Sequence, residues 1–343
     1  MKEQKKLYKN SLAKKIFIKI CRFMGYEIID QSNFYIPTLK KNLNESLNLS
    51  GLKSINIPLG ETKITRKVDS LCVIFRSCTK VNLLTQSKKR LFEQNKSEYT
   101  FRSLNSIISS LNNSRKTFPK INFDIIVIDH NSKKEDLDRI KEKLNNSNFK
   151  NSIINLDVKE FLPNIKRINA KNEKTTDNQI SNMCNIHKSL QVAKKHCNDL
   201  IYFVEDDYIH HKDAFNEIIF SYERLSSQLE RELILCPTDY PYLYTKIEPT
   251  NLFIGSNKHW RKIDQSLCTF LTSKILLNKY WDIFKSMCLF EHYPFEKPLH
   301  EIYKSEFCLS PIPTLAVHLT NVNSTFGLSP NVDWKKIWEE SKN

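Results

Sequence analysis

Three acidic residues in a row close a strongly apolar stretch of the chain: residues 200–204 (LIYFV) run directly into Glu205, Asp206 and Asp207. Adjacent carboxylates at the end of an apolar segment repel one another and resist desolvation unless a cation sits among them. Hard oxygen donors of this kind suit Mg2+ or Mn2+, which keep open positions for water and substrate phosphates. The same triplet also reads as a solvated acidic turn before a following helix, whose N-terminus favours acids. Two other apolar stretches end in polar side chains. Residues 71–75 (LCVIF) deliver Arg76, Ser77, Cys78 and Thr79, and residues 123–128 (FDIIVI) deliver Asp129, His130, Asn131 and Ser132. Arg76 reads as a contact to a phosphate or base, or as an ion-pair partner of the nearby acids.

These polar ends need a repeating scaffold. The runs at 71–75, 123–128, 152–156 and 200–204 suit buried strands, whereas 101–111, 134–144, 178–196 and 214–229 read as helices. Their alternation predicts an α/β fold, a mostly parallel central sheet flanked by helices, with ligands beyond the carboxyl ends of the strands. In the second half, residues 233–239 (LILCPTD) read as a strand entering a loop rich in Pro and Tyr. Residues 251–255 and 266–271 bracket a segment at 257–264 that holds His259, Trp260 and Arg261. Residues 298–306 read as a short helix and 311–319 (PIPTLAVHL) as a strand carrying His318. Asp239 closes the first of these segments and is a candidate contact for a bound ligand. Trp260 reads either as a ring that stacks on a sugar or as a core indole with one polar edge.

The segment 199–208 (DLIYFVEDDY), preceded by a polar helix containing Asn182 and Asn185, resembles the D-x-D region of GT-A glycosyltransferases, especially the family-two-like enzymes. The order of elements over roughly residues 68–325 is similar to that family, although specific residues agree only at 199–208. The first strand departs from it: many members carry Tyr-Asn after this strand, where this chain has Phe75-Arg76-Ser77-Cys78-Thr79. The resemblance implies a nucleotide-sugar donor (UDP-, GDP- or dTDP-linked) bound by Arg76, Asp129, Glu205 and Asp206. It implies Mn2+ or Mg2+ on Asp207 with His318 completing the shell, and a carboxylate at the start of the 298–306 helix as general base. Glu301 matches that place, with Asp264 and Asp239 as substitutes, and the second half of the chain is implied to be the acceptor side, with Asp239 and Trp260 as candidate contacts. A structural reading of the same residues pairs Glu301 with Lys297 or Lys304 and leaves His318 a hydrogen-bonded core histidine.

Glycine scarcity narrows how a nucleotide is held. The chain has 343 residues but five glycines, none spaced as G-x-G-x-x-G or as a Walker loop. Those loops use glycine so that backbone N–H groups approach a pyrophosphate without a Cβ between. A metal at the acidic triplet offers the other way to hold a diphosphate. Sugar-phosphate nucleotidyltransferases, which need a glycine-rich loop after the first strand, fit RSCTK poorly.

The formal net charge is +15, and residues 1–22 alone carry eight bases against one acid. Within them Leu12, Ala13, Ile16, Phe17, Ile20 and Met24 recur at helical spacing while Lys14, Lys15, Lys19 and Arg22 fall elsewhere, a basic amphipathic helix. It reads as attachment to an anionic membrane surface or as a helix docked on its own domain. No run has the roughly 18 apolar residues of a membrane span, and Lys19 and Arg22 interrupt 16–24 as a signal core. Nine scattered cysteines without a C-x-x-C pair argue for reduced thiols and against structural zinc. The expected location is cytoplasmic, peripheral at the inner face of a membrane.

The expected organisation is an N-terminal helix and irregular connector over 1–66, a GT-A-like domain over 67–330, and a helical tail over 331–343. The leading function is transfer of a sugar to a glycolipid or polysaccharide. The alternatives are a non-catalytic domain of the same fold, or a basic protein that binds nucleic acid or membrane. Nucleic acid is disfavoured as a partner because much of the basic excess lies near the N-terminus and no zinc, RNP-like or helix-turn-helix pattern occurs.

Overall fold

The computed structural model describes residues 12–26, 28, 54–57, 60–80, 90–245, 249–320, 322 and 324–342. The chain divides into two compact units, Met1–Thr65 and Arg66–Asn343. In the first, helix α1 spans Leu12–Phe23, and strands β1 (Ser54–Ile57) and β2 (Gly60–Lys63) pair antiparallel. The hairpin corrects the expectation of an irregular connector there; residues 27, 29–53 and 58–59 of that connector lie outside the described residues. Gly25 ends α1 in the left-handed region at φ +84°, where an L side chain is strained. Its N–H bonds to Arg22 O and that of Tyr26 to Cys21 O, the double closure of a Schellman motif.

The second unit is built on a nine-stranded sheet. In chain order come β3 (Ser70–Ser77), α2 (Lys96–Thr117), β4 (Asn122–Asp129), α3 (Lys134–Asn146), β5 (Lys150–Asn155), α4 (Asp177–His196), β6 (Leu200–Glu205), β7 (Tyr208–His210) and α5 (Ala214–Leu229). Then follow β8 (Ile234–Leu235), β9 (Leu252–Ile254), β10 (His259–Ile263), β11 (Phe270–Ser273), α6 (Lys274–Lys279), α7 (Trp281–Leu289), α8 (Lys297–Tyr303), β12 (Cys308–Ile312), β13 (Ala316–His318) and α9 (Trp334–Glu340). The spatial order is β5-β4-β3-β6-β11-β8-β12-β10-β9. Its pairings make every strand run one way except β10 and β11. The mostly parallel sheet expected from the alternation is therefore the fold.

Period-two alternation sorts the core into two faces. From β3, Cys72 and Ile74 pack in one cluster with α4, α6, α7 and α8, while Leu71, Val73 and Phe75 pack in the other with α2, α3 and α5. Helices thus cover both faces, as a buried parallel sheet requires. Helix α9 joins a third cluster with β7 and β13 through Trp338, Ile337, Ile209 and Val317.

Two expected strands are shorter than the sequence suggested. The run 233–239 keeps only β8, because Pro237 has no N–H for a ladder. The run 311–319 divides at Pro313 into β12 in the large sheet and β13, which pairs with β7. That division takes His318 out of the large sheet and sets it opposite Tyr208.

Trp260 is a correction. It lies in β10 with no exposed surface, and its indole N–H donates to Glu217 Oε1 at 3.0 Å. Glu217 also accepts from Ser221 Oγ and from the backbone N–H groups of Ser256 and Asn257. Trp260 is a core indole whose polar edge is satisfied, so its ring is not available for stacking on a sugar. A Cβ at Gly255 would come within 2.6 Å of Glu217, Trp260 and Ser221. Gly255→Ala is expected to cost about 1–3 kcal/mol by overpacking, read as a lower urea midpoint at unchanged slope.

Candidate active site

The chain reverses direction across the sheet at β3. The crossovers through β4 and β5 proceed to one side, and the next returns to place β6 on the other. Crevices beyond the carboxyl ends at such a switch point bind ligands. The pairing register sets Arg76 opposite Glu205 and Ser77 opposite Asp129, so all three polar strand ends meet there.

Each acid of the triplet has its own basic partner from the protein. Arg76 Nη2 forms an ion pair with Glu205 Oε1 at 2.8 Å, and its Nη1 donates to Asn182 Oδ1 on α4 at 3.1 Å. Desolvation raises the Glu205 pKa, and Arg76 opposes that rise. Asp206 is bound on both oxygens. Lys96, the first residue of α2, pairs with Oδ1, while Thr100 Oγ1 at 2.8 Å and the Cys78 N–H at 3.2 Å donate to Oδ2. Burial alone would lower the Lys96 pKa, but Asp206 and Asp207 reverse this and hold it above the usual lysine range. Asp206 is thereby a strut between α2 and the end of β3, a more structural place than the expected donor contact.

Asp207 differs from its neighbours. Burial opposes its ionisation, yet His318, Lys96 and Thr320 together hold its carboxyl well below the usual range. Oδ2 accepts from Thr320 Oγ1 at 2.6 Å and lies 3.4 Å from His318 Nε2. Oδ1 is buried without a hydrogen-bond partner. An orphaned buried carboxylate oxygen is costly unless a donor or cation reaches it. His318 is fixed by its Nδ1–H, which donates to Phe326 O at 3.0 Å, and by Tyr208, whose ring stacks on it at 4.6 Å. Burial disfavours the imidazolium, but Asp207 outweighs it and the pKa is raised.

These residues fit a divalent cation at one position. Arg76 and Lys96 pair directly with Glu205 and Asp206, whereas Asp207 pairs with His318, accepts from Thr320 and retains a buried oxygen without a partner. Among the described residues no group of three or more His, Cys, Asp or Glu could hold a metal by themselves. A cation at Asp207 and His318 would take its other ligands from water and substrate.

Asp129 is buried and braced: Ser77 Oγ at 2.6 Å and Ser132 Oγ at 2.5 Å both donate to Oδ1, which ties β3 to the loop after β4. Asn185 Nδ2 bonds to Ile128 O at 3.3 Å, so α4 fixes this strand end as well as Arg76. Asp239 is buried against Arg261, with Tyr244 Oη donating to its Oδ2 at 2.5 Å. Desolvation raises its pKa despite those partners.

The expected bases are elsewhere. Glu301 lies on the exposed side of α8, paired with Lys304 Nζ at 2.6 Å, as its structural reading held. Asp264 is largely exposed beside Lys262. A carboxylate that feels the charges of Glu205 and Arg76 is Glu296, the N-cap residue of α8. Desolvation pushes its pKa up to about 7; Glu205 adds to the rise, while a bond from Cys268 Sγ at 3.8 Å and the charge of Arg76 oppose it. The sequence signal was available. Glu296 stands two residues before Pro298, and Pro in the first turn marks a helix start. Lys96, Thr100 and Thr320 were also missed: the two threonines adjoin the 101–111 and 311–319 runs, but nothing local in the chain shows that they meet the acidic triplet.

No protein-family model matches the chain, and no curated protein does. Solved structures are similar at low identity. TarS residues 1–349 of S. aureus aligns at 16% identity and a TM-score of 0.35, covering 62% of this chain and 49% of that one, about half its length. The galactosyltransferase LgtC in complex with donor and acceptor sugar analogues aligns at 9% identity and 0.35, covering 79% and 95%. A UDP-glucose pyrophosphorylase complexed with UDP-glucose aligns at 7% identity and 0.38, covering 80% and 97%.

Proposed function

We propose that the second unit transfers a sugar from a nucleotide-sugar donor to an acceptor hydroxyl. Two observations carry this reading: Asp207, just past the end of β6, has a buried unpartnered oxygen and lies beside His318, and the Glu296 carboxyl, raised by desolvation, feels the charges of Glu205 and Arg76. The donor diphosphate is read beside Asp207 and His318, with Arg76 as an anion contact and Asp129 at the base. Mn2+ or Mg2+ held by Asp207 and His318 would supply charge neutralisation for the departing nucleoside diphosphate. Glu296 takes the proton from the acceptor hydroxyl; the hydroxyl oxygen forms a bond to the anomeric carbon as the bond from that carbon to the phosphate oxygen breaks. A carboxylate with a pKa of about 7 is well matched to that task at neutral pH.

The acceptor class in this reading is a glycolipid or polysaccharide, and the expected place of action is the cytoplasmic face of a membrane. Among the described residues no helix is long and apolar enough to cross a membrane. Asp239, with Arg261 and Tyr244, is read on the acceptor side.

Isothermal titration of UDP, GDP and dTDP into the full chain, with and without Mn2+, tests the donor. One nucleoside diphosphate is expected to bind in a metal-dependent way, and its sugar conjugates then become substrates in a transfer assay. Absence of metal-dependent binding by all three would overturn the reading.

A further inference from the structure

The apolar side of α1 is the side left in solvent. At 100° per residue, Leu12, Ala13, Ile16, Phe17, Ile20 and Phe23 fall within an arc of about 140°. All six are exposed, the five large ones from Ile20 at 50% to Phe23 at 93%. Ile18 and Cys21, on the opposite side, are the buried ones. The sequence expectation allowed the apolar stripe to dock on protein; instead Ile18, which interrupts the basic side, is the residue the fold covers. Lys15 and Lys19 are exposed and border one edge of the apolar arc.

An apolar surface of this extent, rimmed by charge, marks a contact site. The helix has 12 residues, about 18 Å, too short to cross a bilayer and suited to lying along one. We propose that α1 lies in the plane of an anionic lipid surface, its apolar arc among the acyl chains and Lys15 and Lys19 at the phosphate headgroups. Charge favours this occupant over a second copy. Residues 1–22 carry eight bases and one acid, so pairing two such segments sets like charges together, whereas an anionic surface neutralises them. The inference rests on the exposure and charge of α1 and is independent of the transfer chemistry.

Co-sedimentation of the full chain tests it, using vesicles of equal parts phosphatidylglycerol and phosphatidylcholine against phosphatidylcholine alone. The chain is expected to pellet with the mixed vesicles and to bind the neutral ones far more weakly. Lys15→Gln with Lys19→Gln should weaken partitioning to mixed vesicles about 25-fold, roughly fivefold per base. Phe17→Ser with Phe23→Ser should weaken it by about tenfold or more. These side chains are exposed, so an unchanged circular dichroism spectrum is expected for both variants. Unchanged partitioning of either variant, or equal binding of the wild type to both vesicle types, overturns the proposal. So does lipid-free self-association that the Phe17/Phe23 variant abolishes, since it makes a second copy the occupant.

Discussion

Replacing Glu296 by Gln is expected to lower the rate of sugar transfer by about a thousandfold while leaving nucleotide affinity nearly unchanged. A positioned general base contributes about 10²–10⁴, and glutamine keeps the size of the side chain while losing the ability to accept a proton. The pH profile supplies a second readout. Glu296 must be ionised to act, so wild-type kcat should rise with pH and level off above about 7, where its carboxyl titrates. The variant should lose that limb. The folded-state pKa lies above the ordinary value of 4.5, so protonation of Glu296 contributes stability below that value. The contribution is lost as pH rises through about 7. The variant should therefore be less sensitive to pH across that window in urea denaturation. Wild-type rates in the variant, with the alkaline rise intact, would assign the base elsewhere.

Asp207→Asn should abolish metal-dependent nucleotide binding, weakening it by about a hundredfold or more, since a cation at the leaving diphosphate supplies several kcal/mol. The substitution keeps the Thr320 contact geometry but removes the charge that faces His318. His318 then loses the interaction that raises its pKa, and burial drives it toward the neutral form. Titration of the selected nucleoside diphosphate with and without Mn2+ checks this outcome. Metal-dependent affinity equal to wild type would remove Asp207 from the site. The two substitutions separate binding from chemistry, because one is expected to act on affinity and the other on the transfer step.

The acidic triplet shows how a motif is read in part. Its sequence implied that three adjacent carboxylates need positive charge, and the structure meets that need mainly with its own side chains. Arg76 comes from the next strand, Lys96 from the start of α2, and His318 from a strand more than a hundred positions further on. Asp207 alone of the three keeps a fully buried oxygen without a hydrogen-bond partner among the described residues. The sequence treats the three acids alike; their separate environments make one a strand-end ion pair, one a strut and one a candidate ligand.

What the sequence determined by itself follows from local periodicity and local sterics. Apolar runs of strand length alternating with helical spacing imply a parallel sheet, and the C-terminal ends of β3, β4 and β6 carry the polar residues seen in the string. Five glycines exclude phosphate-cradling loops, and the two at positions 25 and 255 instead close a helix and admit a core contact. Only the tertiary structure decided which residues meet and which face is covered. Trp260, Glu301 and Glu296 are alike in being polar-edged or acidic residues near turns, yet one is sealed in the core, one faces solvent and one is desolvated beside Arg76 and Glu205. The stripe of α1 was legible, but not its outward direction. Periodicity fixes the angle between side chains on one element; burial and pKa depend on what other elements bring near, and that is set by contacts remote in the chain.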